Sequence, residues 1–171
     1  MSRDKTLVPI DFTGGAYEVV ATAADIAGRL GNDVVLLYVV KLPAGLPPGA
    51  RLHPHGSPGA VDAPQFLDDD ARAHLDPFAL IFQAAGCSVE ITLEHGEVSE
   101  AILAACARIG AGMIIMGTHG RRGLRRLVEG SVAEQVIRRA DCPVLVVRTK
   151  KPDDHPGLSE AQEQALAESS G

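Results

Sequence analysis

Residues 34–40 read Val34-Val35-Leu36-Leu37-Tyr38-Val39-Val40. Successive strand residues point to opposite faces of a sheet, so a strand with one wet face alternates apolar and polar residues. A run that is apolar almost throughout must be covered on both sides. The stretch therefore predicts a central strand of a parallel sheet, and it is too short to span a membrane. Just before it, Gly31-Asn32 suits a helix stop. Residues 15–30 place Ala16, Val19, Val20, Ala23, Ala24, Ala27 and Leu30 on one helical face. With the short apolar run Thr6–Ile10 ahead of that helix, the chain opens as strand, helix, strand.

Beyond Val40 the composition changes. Between residues 41 and 63, Pro43, Pro47, Pro48, Pro54 and Pro58 mix with Gly45, Gly49, Gly56 and Gly59, which predicts a mobile loop or lid without regular structure. A helical pattern resumes over Pro64–Ala85 with Phe66, Ala73, Leu80 and Ile81 among its apolar positions. Pro77 is expected to kink or divide it, and Gly86 to close it. Cys87–Leu93 alternates like a strand nearer the sheet edge, Val98–Ile109 is an amphipathic helix, and Gly112–Met116 is a buried strand. Val132, Ala133, Val136 and Ile137 form a fourth helical face, and Pro143–Val147 a last strand. Five strands alternating with four helices predict an α/β fold: one open parallel sheet, right-handed crossovers and helices on both faces. Ligands of such sheets sit at the carboxyl ends of the strands.

The 171 residues, 46% apolar, suffice for one domain with a full core. We place that domain at residues 1–149. Residues 150–171 lack a sustained apolar face, are rich in Glu, Ala and Ser, and are expected to be disordered or at most a weak helix. A formal net charge of −6 argues against a nucleic-acid partner, which calls for a basic surface. No leader or membrane-length segment is read, so a cytoplasmic protein is expected. Cys87, Cys106 and Cys142 are odd in number and have no framework spacing, which fits reduced, mostly buried thiols.

The chemistry is sought where strands end. Asp11, after Pro9-Ile10, is positioned to accept hydrogen bonds from ribose hydroxyls or metal-bound water, or equally to cap the first helix. Residues 116–131, Met-Gly-Thr-His-Gly-Arg-Arg-Gly-Leu-Arg-Arg-Leu-Val-Glu-Gly-Ser, lead an apolar strand through a glycine-rich loop into a helix, the arrangement of an anion site. Ser131-Val132-Ala133-Glu134 matches a capping box. The glycine spacing is neither a P-loop nor a dinucleotide fingerprint. Arg121, Arg122, Arg125 and Arg126 are read as solvated surroundings. His53, His55 and His119 lack the partners of a metal site, and Asp68-Asp69-Asp70 as early-helix acids favoured by the dipole. No nucleophile–base pair, and so no catalytic residue, is identified.

Gly117-x-x-Gly120, nine residues, then Gly130-Ser131 resembles the ATP-binding signature of the universal stress protein family. Met113–Gly120 and Cys142–Arg148 resemble that family's C-terminal half, Pro9-x-Asp11-Phe12-Thr13 its first-strand motif, and Leu37-Tyr38-Val39 its second-strand end. The resemblance covers nearly all of residues 5–149. It implies a Rossmann-like sheet of order 3-2-1-4-5 and ATP as ligand, with Mg²⁺ or Mn²⁺ as its companion ion. It implies that Asp11 contacts the ribose or the metal-coordinated triphosphate and that backbone around Pro9 and Val39 meets adenine. Gly117, Gly120, Gly130 and Ser131 would then line ribose and phosphates, flanked by Met116 and Val132. It also implies a homodimer through the last strand, Val144 to Val147, an apolar edge that otherwise invites uncontrolled pairing. Two departures stand out: Tyr38 replaces a histidine common in the family, and the Pro/Gly insertion is longer than usual. The expected role is stress response or signalling through nucleotide-dependent conformation or an unidentified protein partner, with little or no hydrolysis. The alternatives are a nucleotide-independent dimeric adaptor, and an adenylyl-transferring enzyme whose His-x-Gly-His type motif is not found.

Overall fold

The computed structural model describes residues 4–12, 14–41, 49–52, 59–118 and 131–149. In chain order its elements are β1 (Lys5–Pro9), α1 (Ala16–Leu30), β2 (Asp33–Val40), β3 (Arg51–Leu52), β4 (Val61–Asp62), α2 (Ala63–Ala84), β5 (Val89–His95), α3 (Val98–Ile109), β6 (Ala111–Thr118), α4 (Val132–Arg139) and β7 (Val144–Arg148). The five longer strands form one parallel sheet in the order β5-β2-β1-β6-β7. Counting only these five along the chain, that order is 3-2-1-4-5. The winding reverses beside β1, which lies between β2 and β6, so the topological switch point falls at the carboxyl ends of these strands.

The residues from Val34 to Val40 behave as their composition demands. All are buried except half-buried Tyr38, because helices cover both faces of β2. Against one face lie Ala16, Val19, Val20, Ala23 and Ala27 of α1 with Leu75, Phe78 and Phe82 of α2, meeting Val8, Val34, Leu36 and Ile115. Against the other lie Ile102, Ala105 and Cys106 of α3 with Val136 of α4, meeting Leu7, Val35, Leu37, Ile114 and Met116. The strand Val89–His95 lies at the edge, as its alternation indicates.

Several expectations are corrected. The segment 41–63 is not wholly irregular: Arg51–Leu52 and Val61–Asp62 form a short antiparallel ladder, and Ala63 already belongs to α2, whose N-cap is Asp62 accepting from the Gln65 N–H. Its remaining residues 42–48 and 53–58, with His53 and His55, lie outside the described residues. Pro77 does not divide α2. The buried stripe of α2 is Ala71, Leu75, Phe78 and Phe82, whereas Leu80 is 63% exposed and Ala73 is exposed. Leu30 and Ile137 likewise face outward. Because α2 starts at Ala63, Asp68, Asp69 and Asp70 lie beyond its first turn, where the dipole has faded; Asp68 instead meets His95 at 3.2 Å and Asp70 meets His74 at 3.5 Å. No helix among the described residues is long and apolar enough to cross a membrane.

Helix α1 approaches the end of α2 at a glycine. A Cβ built on Gly28 would stand 2.9 Å from the backbone oxygen of Ala85. Gly28→Ala gains helix propensity of about 1 kcal/mol but drives a methyl into backbone, and overpacking costs about 1–3 kcal/mol. The variant is expected to be less stable, with a lower urea midpoint; a raised midpoint would show that the two helices separate freely.

Candidate functional site

The site begins with the row across the sheet. Pro9 pairs with Leu37, and Leu7 pairs with Ile114, so continuing that register sets Pro9 level with Met116. Asp11 and Val39 lie one step further towards the carboxyl edge, Asp11 half-buried beyond β1 and Val39 buried within β2. The Ile10 N–H donates to the Leu37 oxygen at 2.9 Å, holding the chain after β1 against β2 as it leaves the sheet. The N-cap of α1 is Gly15, so Asp11 stands outside that capping position, and the carboxylate remains at the sheet edge.

On the other side of β1, Met116 is buried and packs in the same cluster as Val132, the first residue of α4. Ser131 is the N-cap of that helix, its hydroxyl accepting from the Glu134 N–H at 3.2 Å. Only this half of the capping box forms. Glu134 turns its Oε1 to Arg138, four residues on, at 3.0 Å. Helix geometry leaves the first N–H groups of α4, those of Val132 and Ala133, without intrahelical acceptors, at the positive end of the dipole. The helix is anchored from behind: buried Ser99 has its hydroxyl 2.7 Å from Gln135 Oε1 and 2.6 Å from Glu97 Oε2. Its hydrogen bond to Glu97 is the main reason that carboxyl stays below its ordinary range.

Gly117 has a packing role that spacing alone did not reveal. A Cβ there would come within 2.8 Å of Val19 Cγ2, so α1 leaves no room for a side chain at this one position of β6. Thr149 closes the same edge by donating its hydroxyl to the Thr118 oxygen at 2.9 Å. The structure thus brings Pro9, Asp11, Val39, Met116, Gly117, Ser131 and Val132 to one end of three adjacent strands and the start of one helix. Gly120 and Gly130 lie outside the described residues, as do His119 and the arginines from Arg121 to Arg126.

Sequence reasoning missed an aromatic shelf on the α1/α2 side of that edge. The rings of Phe12 and Tyr38 lie 4.4 Å apart between centroids, and Phe12 and His74 lie 5.4 Å apart. With Lys41, Leu67 and Asp70 they border a cavity of about 240 Å³. Burial pushes the Tyr38 phenol above its ordinary value, and the charges of Asp11 and Asp70 push the same way, so Tyr38 remains a hydrogen-bond donor. The usable signal was Phe12 directly after Asp11, with His74 one turn beyond Asp70. Among the described residues no three His, Cys, Asp or Glu side chains converge as a metal site.

The sheet order defines a doubly wound α/β protein, and the candidate residues gather at its switch point. The sequence model of the universal stress protein family matches residues 2–148, and the chain belongs to that family. It is 30% identical to universal stress protein MJ0531 of Methanocaldococcus jannaschii over 149 residues, 87% of this chain and 84% of that one. Among solved structures, it resembles a universal stress protein in complex with cAMP, with a TM-score of 0.65 at 19% identity, covering 88% of this chain and 100% of that one. It also resembles the universal stress protein from Archaeoglobus fulgidus in complex with dAMP, with a TM-score of 0.59 at 23% identity, covering 85% and 98%. At those identities the likeness shows the fold.

Proposed function

We propose that this chain binds ATP at the carboxyl edge formed by Pro9, Asp11, Val39, Met116, Gly117, Gly120, Gly130, Ser131 and Val132, and that occupancy signals through conformation or a protein partner in the stress response. The observation that carries this reading is the convergence of the β1, β2 and β6 ends with the Ser131-capped start of α4. Buried Val39 and Met116 offer an apolar wall for adenine, Asp11 a carboxylate for ribose hydroxyls or Mg²⁺-bound water, and the α4 amino end N–H donors for phosphate. Relatives whose structures are complexes with cAMP and dAMP support an adenine nucleotide as the ligand class. These groups hold an anion and supply no activated nucleophile, so hydrolysis is slow or absent. We further propose a cytoplasmic homodimer joined along β7, whose half-buried Val144–Val147 lies at the sheet edge, with residues 1–149 as the folded unit.

Native mass spectrometry of the protein as purified, followed by calorimetric titration with ATP and Mg²⁺, tests the proposal. Wild type is expected to bind, and a Gly130→Val, Ser131→Ala double variant to bind at least about tenfold more weakly, about 1.4 kcal/mol. Equal affinity in both would remove the assigned site. No binding by wild type at millimolar ATP would make the chain a nucleotide-independent adaptor.

A further inference from the structure

The opposite edge of the sheet, at the amino ends of β6 and β7, carries a second constellation. Cys106, on α3, and Cys142, in the connection from α4 to β7, are separated by 36 positions in sequence, yet their sulfurs lie 3.4 Å apart. Both belong to the core cluster on the α3/α4 face. Cys106 is 7% exposed and Cys142 is half-buried. They border a cavity of about 240 Å³ whose other walls include Leu103, Ala107, Arg139 and Asp141. A water molecule occupies about 30 Å³, so a small polar oxidant has room there. Cys87, the third thiol, is buried in the cluster on the opposite face of the sheet.

We infer that Cys106 and Cys142 form a reversible dithiol–disulfide couple that a small hydroperoxide oxidises through the cavity at the amino edge of the sheet. A disulfide needs sulfurs about 2.05 Å apart, so an approach of about 1.4 Å closes the bond. Half of the pair sits on the short Asp141-Cys142-Pro143 connection and not in a helix, so the approach can come from that connection while α3 stays in place.

The exposures set the order of events. Cys142, the more accessible sulfur, attacks the distal peroxide oxygen as thiolate; the O–O bond breaks, and the remaining oxygen leaves as alcohol or water with a proton. Cys142 is then a sulfenic acid. Cys106 Sγ attacks that sulfur, the S–O bond breaks, and hydroxide departs with the Cys106 proton as water. The two sulfurs lose two electrons and the peroxide gains them. Burial pushes the Cys106 thiol up to about 12, reinforced by its hydrogen bond to Cys142 and by the charges of Cys142 and Asp141. Cys106 therefore stays a thiol and does not compete for peroxide; oxidation of Cys142 removes the smaller contributions of that neighbour, and burial, the largest, remains. Such a thiol suits the resolving role, since the thiolate is the species that peroxide meets first.

The consequence is topological. The ring closed by this bond runs from residue 106 to 142 and contains β6, Gly117, Gly120, Gly130, Ser131 and α4. Oxidation ties α3 to the far end of α4 and restrains the whole segment between. Nothing in this inference depends on nucleotide binding, so it stands or falls separately from the function proposed above.

The full chain, reduced and then treated with hydrogen peroxide, is alkylated and mapped by mass spectrometry. The expected product is a monomer with Cys106 linked to Cys142 and Cys87 alkylated, reverting with dithiothreitol. Closing a ring of this size is expected to raise the melting temperature by about 5 °C or more. Cys106→Ser should stop at a dimedone-reactive sulfenic acid on Cys142, and Cys142→Ser should leave Cys106 unoxidised. Full alkylation of both thiols after peroxide, a crosslink found only between chains, or peroxide consumption at Cys106 in Cys142→Ser would overturn the inference. The wild-type map decides the matter even if a variant folds poorly.

Discussion

Phe82→Ala is expected to destabilise the protein by about 3–5 kcal/mol, the range for deleting a buried aromatic ring. Phe82 is fully buried and heads the largest such side chains. It belongs to the cluster in which α1 and α2 meet the sheet through Val34 and Leu36, with Cys87 beside them, and its backbone oxygen accepts from the Cys87 N–H at 3.0 Å as the chain turns towards β5. Truncation therefore opens a cavity where α2, its closing turn and the sheet join, and neighbours on the rigid sheet cannot collapse into it. Against a total stability of about 5–15 kcal/mol, the variant should show a much lower urea midpoint with an unchanged slope. Leu80→Ala, two residues away on an exposed position, should change stability by less than about 0.5 kcal/mol. Equal effects would mean that the buried stripe of α2 runs through Leu80 instead.

That contrast also marks how far sequence reaches in this chain. The run from Val34 to Val40 announces a strand covered on both faces, since no other environment suits it. Helix existence was equally legible, but helix phase was not. In α2, alanines and a proline blur the apolar stripe, so the apolar pattern singled out Ala73 and Leu80 where the structure buries Leu75 and Phe78; only the sheet beneath selects among them. Short ladders such as Arg51–Leu52 with Val61–Asp62 carry too few residues to show a period. The site divides the same way. Strand ends and glycine spacing pointed to Asp11, Gly117 and Ser131, because these are properties of local order along the chain. The clash that keeps Gly117 small, the tilted contact of Phe12 with Tyr38 and the meeting of Cys106 with Cys142 arise from crossovers that bring distant segments together. The thiols were dismissed on spacing, which says nothing about tertiary adjacency.

Ser131 offers the sharpest test of the proposed nucleotide site, because its structural role and its proposed ligand role can be pulled apart. Its hydroxyl caps α4, and Ser131→Ala should cost about 1 kcal/mol in the absence of ligand. Loss of ATP affinity in that variant would be ambiguous, since a frayed helix start also loses its N–H donors. Aspartate resolves the ambiguity. It caps as well as serine, and its charge favours the positive end of the dipole, so Ser131→Asp should keep the stability of the ligand-free protein within about 0.5 kcal/mol. The same carboxylate would face the triphosphate. Like charges about 4 Å apart repel by about 4 kcal/mol at an effective dielectric of 20, and even half of that weakens binding about 30-fold. Wild type at ATP a hundredfold above Kd should gain about 2.7 kcal/mol, a melting shift of about 5–10 °C. Ser131→Asp should start from the same melting temperature and, with binding weakened about 30-fold, gain at most about 0.9 kcal/mol at that ATP concentration, a third of the wild-type gain. An undiminished shift in this variant would place the phosphates away from the start of α4, and Gly117 would then owe its small size to packing against Val19 alone.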